Sequence, residues 1–206
     1  MIDSIFLITS FATLFVVVDP VGLVPMFIAL TDGETRQRRR EIAVRATLVA
    51  AGLLTLFGFA GESLLHFIGI SMSAFRISGG ILLLLTALDM LFERRTLRRE
   101  GQLTHVEKDP SVFPLATPLI AGPGALASMI LLSGEVQRDF VGLLAVHLVM
   151  IAVLACVLGL FLISSKIEKF LGRTGRMVVT RLLGMLLSAL SIQFIIDGMK
   201  GSGLLG

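Results

Sequence analysis

The sequence predicts an all-α membrane protein: six transmembrane helices built as two inverted three-helix repeats, with broken helices in spans 1 and 4. Three observations carry that prediction. Hydrophobic residues make up 55% of the chain and charged ones 16%, with mean hydropathy +0.92, which lies outside the range of a soluble globular domain. Six apolar stretches have about the 20 residues that cross a ~30 Å hydrocarbon layer. The chain also repeats itself. Phe67 and Gly69 return 103 residues later as Phe170 and Gly172, and Arg76 and Gly79 return 105 residues later as Arg181 and Gly184. Around Pro20 the run V-D-P-V-G-L-V-P-M overlies A-G-P-G-A-L-A-S-M around Pro123, with Met26 over Met129. Three spans per half is an odd number, so the second copy has to lie upside down, an architecture that recurs among secondary transporters.

The first stretch, Ile2 to Leu30, lacks a basic leading segment and a small-residue cleavage site, so it is expected to be a retained helix. Its 29 residues exceed one straight crossing, and something must tilt or interrupt it. Asp19 followed by Pro20 is a helix N-cap and first-position pair, with Gly22 and Pro25 just beyond, so two half-helices are expected to meet near Asp19. The second and third spans run from Ile42 to Leu65 and from Ser71 to Phe92. Residues 1–92 form the first repeat, 93–112 a basic cytoplasmic loop and 113–206 the second repeat, all in a single membrane domain. The fourth span, Phe113 to Ser133, carries Pro114, Pro118 and then Gly122-Pro123-Gly124, an unwound stretch opening a new helix at Pro123. The fifth, Phe140 to Ile163, holds the lone cysteine, Cys156, a small core residue without a disulfide partner. The sixth runs from Met177 to Met199.

Charge orients these spans. Arg36, Arg38, Arg39 and Arg40 follow the first, Arg94, Arg95, Arg98, Arg99 and Lys108 the third, and Lys166, Lys169, Arg173 and Arg176 the fifth. The alternate connections and the C-terminus hold only Arg138 and Lys200. This positive-inside bias is expected to put both termini on the side away from the cytoplasm. The basic runs are expected to meet anionic lipid headgroups, and no motif points to nucleic acid.

Irregular backbone at membrane depth is tolerated where protein buries it or water reaches it. Two breaks at equivalent positions of two inverted halves point to one central site formed by Asp19, Pro20, Gly22, Pro118, Gly122, Pro123 and Gly124, with Gln193 as a further cavity candidate. The helix N-terminus at Pro123 offers free amides and the positive end of a dipole to a carboxylate, with Gly122 and Gly124 leaving the approach open. Asp19 suits an ammonium group or a proton, or it only caps its own half-helix. Met26 and Met129 would be soft walls. By depth, Arg76 groups with Glu62 and Asp197 near the outer face, and Arg181 with Asp89 near the inner one. These groupings are either static anchors or gates. His66, His105 and His147 have no metal-ligand spacing, so no metal or cofactor is expected. No catalytic motif is present, and intramembrane aspartyl chemistry lacks a second central acid, so the chain is not read as an enzyme.

The blocks D-P-V-G-L-V-P-M-F (Asp19 to Phe27), F-A-G-E (Phe59 to Glu62), F-R-I-S-G-G-I-L-L (Phe75 to Leu83), P-L-A-T-P-L-I-A-G-P-G (Pro114 to Gly124) and R-L-L-G-M-L-L-S-A-L-S-I-Q-F-I-I-D-G (Arg181 to Gly198) resemble the MarC family. The resemblance covers nearly the whole chain. It implies a six-span inner-membrane protein, its termini then periplasmic, and, through the NAAT-type transporters among the family's members, transport of neutral amino acids. The two breaks by themselves fit a small zwitterion such as glycine or alanine. A coupling proton or sodium ion would accompany such transport. An uncoupled channel or exporter and a non-transporting membrane scaffold are the alternative classes.

Overall fold

The computed structural model describes residues 3–92, 109–136 and 139–203, and of residues 165–174 and 176 the backbone only. The basic loop residues Arg94 to Lys108, with His105 and Arg138, lie outside the described residues. So do the side chains of Lys166, Lys169, Phe170, Arg173 and Arg176.

Every regular element among the described residues is helical. Helix α1 (Ser4–Val18) begins at Asp3, whose carboxylate accepts from the Ile5 amide, and stops where Asp19 turns left-handed at φ 55°. Asp is among the few side chains that tolerate that region. Helix α2 (Pro20–Leu30) starts at once, with Pro20 in its first turn, and continues through Pro25. After a short turn, α3 (Arg36–Ile68) is capped by Thr35 and closed by Gly69 at φ 83°. Gly69 therefore explains the first F-x-G motif as the turn into α4 (Met72–Leu91), whose N-cap is Ser71.

The second half departs from regular geometry at once. Pro114 and Pro118 remove amide donors, and the segment α5 (Ser111–Ile120) widens, with the Leu115 amide bonding Pro110 and Ala121 bonding Ala116, both five residues back. Phe113 and Thr117 are extended within it. Helix α6 (Pro123–Val136) then starts at Pro123, and α5 and α6 meet at a 58° bend. Asp139 caps α7 (Phe140–Leu162), and α8 (Ser164–Gly201) follows after one residue. The basic connection expected before Met177 is thus the first part of a continuous 38-residue helix, and Gly172 sits inside it rather than at a turn like Gly69.

Among the described residues, five helical spans are long and apolar enough to cross a membrane, or six counting the bent α5–α6 pair as one. The stretch Ser4–Leu30 is 67% buried, whereas the other four unbent spans are 22–39% buried, so α1 and α2 form the centre of the bundle. Outward-facing Leu48, Leu56, Phe67, Leu148 and Ile151 match a lipid-facing rim.

Packing runs between the halves rather than within them. Helix α3 lies on α5, α6 and α7, while α7 lies on α1, α2 and α3. Helix α4 packs on α6, and α8 packs on α1 and α2. The most extensive contact is α4 against α8. Those two run antiparallel, with Gly198 opposite Ser73 and Ile77, Gly80 opposite Ser191 and Ile195, and Gly184 opposite Ala87 and Met90. A methyl on Gly80 would come 2.8 Å from the Ser191 carbonyl oxygen, so glycine is what lets the backbones approach.

Candidate functional site

The first break is built by Asp19. Its side chain is buried, and one carboxylate oxygen, Oδ1, accepts from the Gly22 amide at 3.0 Å, satisfying a free donor of α2. A side chain on Gly22 would collide with that carboxylate, its Cβ falling 2.0 Å from Oδ2. Asp19 therefore does cap its half-helix, and Gly22 is the residue that allows the capping geometry. Pro20 is buried beside them.

At the second break, Gly122 faces the Pro118 carbonyl oxygen, which an added Cβ would meet at 2.7 Å. Pro123, which has no amide hydrogen, is exposed, and Gly122 is half-buried. The amides of the first turn, including Gly124, have no acceptor within their own helix. Gly124 itself is buried, and the space beside its Cα is taken by Val17 and Leu83, at 3.1 and 3.2 Å from where a Cβ would stand. Its glycine serves close packing of α6 on α1 and α4. That same contact joins the breaks, because Val17 is two residues from Asp19. One turn beyond Gly124, the Ser128 hydroxyl is fully buried without a hydrogen-bond partner among the described residues.

Sequence reasoning overlooked Ser128, although its spacing of four residues from Gly124 marks the same helix face. His147, set aside in the sequence for want of metal-ligand spacing, is buried in α7. The His147 Nδ1 sits 2.8 Å from the Leu143 carbonyl oxygen, its ring stacks on Phe59, and its Nε2 is buried without a partner among the described residues. Met26 and Met129 are both fully buried.

Near the helix ends the structure adds an acid to the residues grouped by depth. Arg76 pairs with Glu135 at 3.0 Å, an acid two residues past the expected end of the fourth span and so absent from the sequence-based grouping. Glu62 lies beside Gly134, and Asp197 accepts from Gln193 at 2.9 Å one helical turn away. Gln193 is exposed and engaged with Asp197. Asp89 lies next to Met90, which faces Gly184, and Arg181 is three residues before that glycine, so the two share a level of the α4–α8 pair. Among the described residues no cluster of His, Cys, Asp and Glu is placed to hold a metal ion.

The profile of the MarC family, described as MarC family integral membrane protein, matches residues 4–202. The chain belongs to the MarC family. Among its MarC relatives, the UPF0056 membrane protein YhcE of Escherichia coli is 39% identical over 93% of this chain and 90% of its own length. UPF0056 membrane proteins of Methanocaldococcus jannaschii and Archaeoglobus fulgidus are 33% and 36% identical, covering 97% and 94% of this chain and 98% and 92% of their own. No solved structure matches the MarC chain.

Proposed function

We propose that this MarC protein is a secondary transporter of small neutral amino acids working by alternating access in the inner membrane, with both termini periplasmic. The observation that carries the reading is a buried carboxylate, Asp19, at a helix interruption whose neighbour Val17 touches the start of α6. An acid at this depth is costly unless it has a partner or a task. The first-turn amides of α6 and the buried Ser128 hydroxyl one turn beyond Gly124 are the donors assigned to a substrate carboxylate. Because Gly124 is buried, this seat has to open during the cycle. A substrate with an ammonium group toward Asp19 and a carboxylate toward α6 uses both, and a proton or sodium ion is the coupling species.

The packing pattern supports two inverted repeats. Exchanging α1 and α2 with α5 and α6, α3 with α7, and α4 with α8 turns the contacts of α3 on α5 and α6 into those of α7 on α1 and α2. The same exchange turns α4 on α6 into α8 on α2, and it maps α3–α7 and α4–α8 onto themselves. An antiparallel α4–α8 pair is what a two-fold axis in the membrane plane requires of a helix packed on its own counterpart.

Uptake of radiolabelled glycine, alanine and serine into proteoliposomes, with and without imposed proton or sodium gradients, tests the proposal. Uphill uptake driven by one gradient supports a carrier. Flux that only follows the solute gradient points to the channel, and no flux of any panel member to the scaffold.

A further inference from the structure

A cavity of about 1030 Å³ opens at one end of the bundle, between the first turns of α3 and the corner where α7 passes into α8. Among the described residues its polar rim carries Arg36, Arg39 and Arg40 against a single acid, Glu34. Phe161, Leu162 and Ile163 make its other wall, and Leu162 and Ile163 are each about half exposed.

The three arginines are not equivalent. Arg39 is fixed: its Nη2 donates to the Ser164 hydroxyl at 3.1 Å, and its guanidinium lies 5.6 Å from the Phe27 ring centroid. Phe27 in turn stacks on Phe161 at 4.3 Å with the rings 8° from parallel. Arg39 thereby ties the α3 wall to the α8 wall and holds the cavity at a set width. Arg36 and Arg40 are exposed and have no ion-pair partner among the described residues, whereas Arg38 next to them engages Glu41 and Asp109. Among the described residues the rim thus presents guanidinium groups without an ion-pair partner beside an apolar surface.

We propose that this cavity binds an anionic phospholipid, its phosphate held by Arg36 and Arg40 over the fixed Arg39, and its acyl chains lying along Leu162 and Ile163. The guanidinium fork matches phosphate oxygens. The half-exposed apolar wall argues for a lipid over free phosphate, since it offers an inorganic anion nothing. The site is independent of the transport reading.

Delipidated full-length protein in detergent is titrated with phosphatidylglycerol, with phosphatidylcholine of the same chains, and with inorganic phosphate. Thermal unfolding and retained lipid by native mass spectrometry are the readouts. Phosphatidylglycerol is expected to raise the unfolding temperature and remain bound, and the other two are not. The Arg36→Gln/Arg40→Gln variant should weaken phosphatidylglycerol binding about tenfold or more. Arg45→Gln/Lys200→Gln, which removes the same total charge elsewhere, should not. Should the first variant fail to fold, the single substitutions Arg36→Gln and Arg40→Gln are measured in its place, each with a smaller loss. Equal binding of phosphatidylcholine, equal protection by inorganic phosphate, undiminished binding in the cavity variants, or an equal loss in the control variant would each overturn the proposal.

Discussion

Asp19 combines a left-handed backbone, a cap on the Gly22 amide and burial at the centre of the bundle. Asn accepts both the left-handed backbone and the capping role. Asp19→Asn therefore separates charge from structure, and expression and thermal stability should stay near wild type while gradient-driven uptake is lost. Normal concentrative uptake by a stable Asp19→Asn protein would reduce the residue to a cap. Asp109, outside the spans, makes a different test. The Ser111 hydroxyl and amide, with the guanidinium groups of Arg45 and Arg38, hold its carboxyl below the usual carboxylate range despite some desolvation. A depressed folded-state pKa adds stability above the unfolded value, and that stability fades as pH falls through the folded one. The unfolding-temperature difference between wild type and Asp109→Asn should hold from about pH 7 to about pH 4 and vanish below that. The residues that sequence reading missed share a cause. Glu135 fell just outside an assumed span end, and the task of Gly124 is set by Val17 and Leu83, far away in the chain.

At the scale of elements, the breaks were legible because Asp-Pro and Gly-Pro-Gly carry local capping and turn chemistry that survives tertiary packing. Helix α2 starting at Pro20 and α6 starting at Pro123 follow directly from it. The widened hydrogen bonding of α5 was not legible, since two prolines say which donors are missing but not which carbonyls the remaining amides will choose. Nor was the continuity of α8, where a run of basic residues reads as a connection until the helix is seen to pass through it. The α4–α8 contact offers the sharpest element-level test. Gly80→Val would drive a branched side chain against the Ser191 carbonyl and Ile195. A loss of about 1–3 kcal/mol is expected from overpacking of this kind. It should appear as a lower unfolding temperature in detergent, whereas Gly159→Val, with open space beside it, should leave that temperature nearly unchanged.

For the whole molecule, the basic asymmetry of the sequence is the ground for proposing a periplasmic N-terminus and C-terminus. Reporter fusions after Leu30, Phe92 and Ile163 should report cytoplasm, and those after Leu65 and at the C-terminus should report periplasm. A cytoplasmic C-terminus would remove the inverted repeat. The interleaved packing makes a second prediction. Residues 1–92 bury little against one another, so that fragment alone should be degraded or aggregate. Co-expressed with 109–206 it should be recovered as a complex in pull-down, and recovery of a stable, monomeric first fragment would count against the interleaving.

The same interleaving has a consequence for biosynthesis. When α4 leaves the ribosome, the surfaces that will cover α3 and α4 have not yet been translated, because they belong to α5 through α8. The early helices enter lipid with Gly79, Gly80 and the buried acid Asp19 still facing acyl chains. They must wait there, individually stable but unassembled, until the last helix arrives. For this chain assembly is a late, post-insertion event, and slowing the translation of its second half would lengthen the interval in which the membrane's quality-control proteases can reach the first.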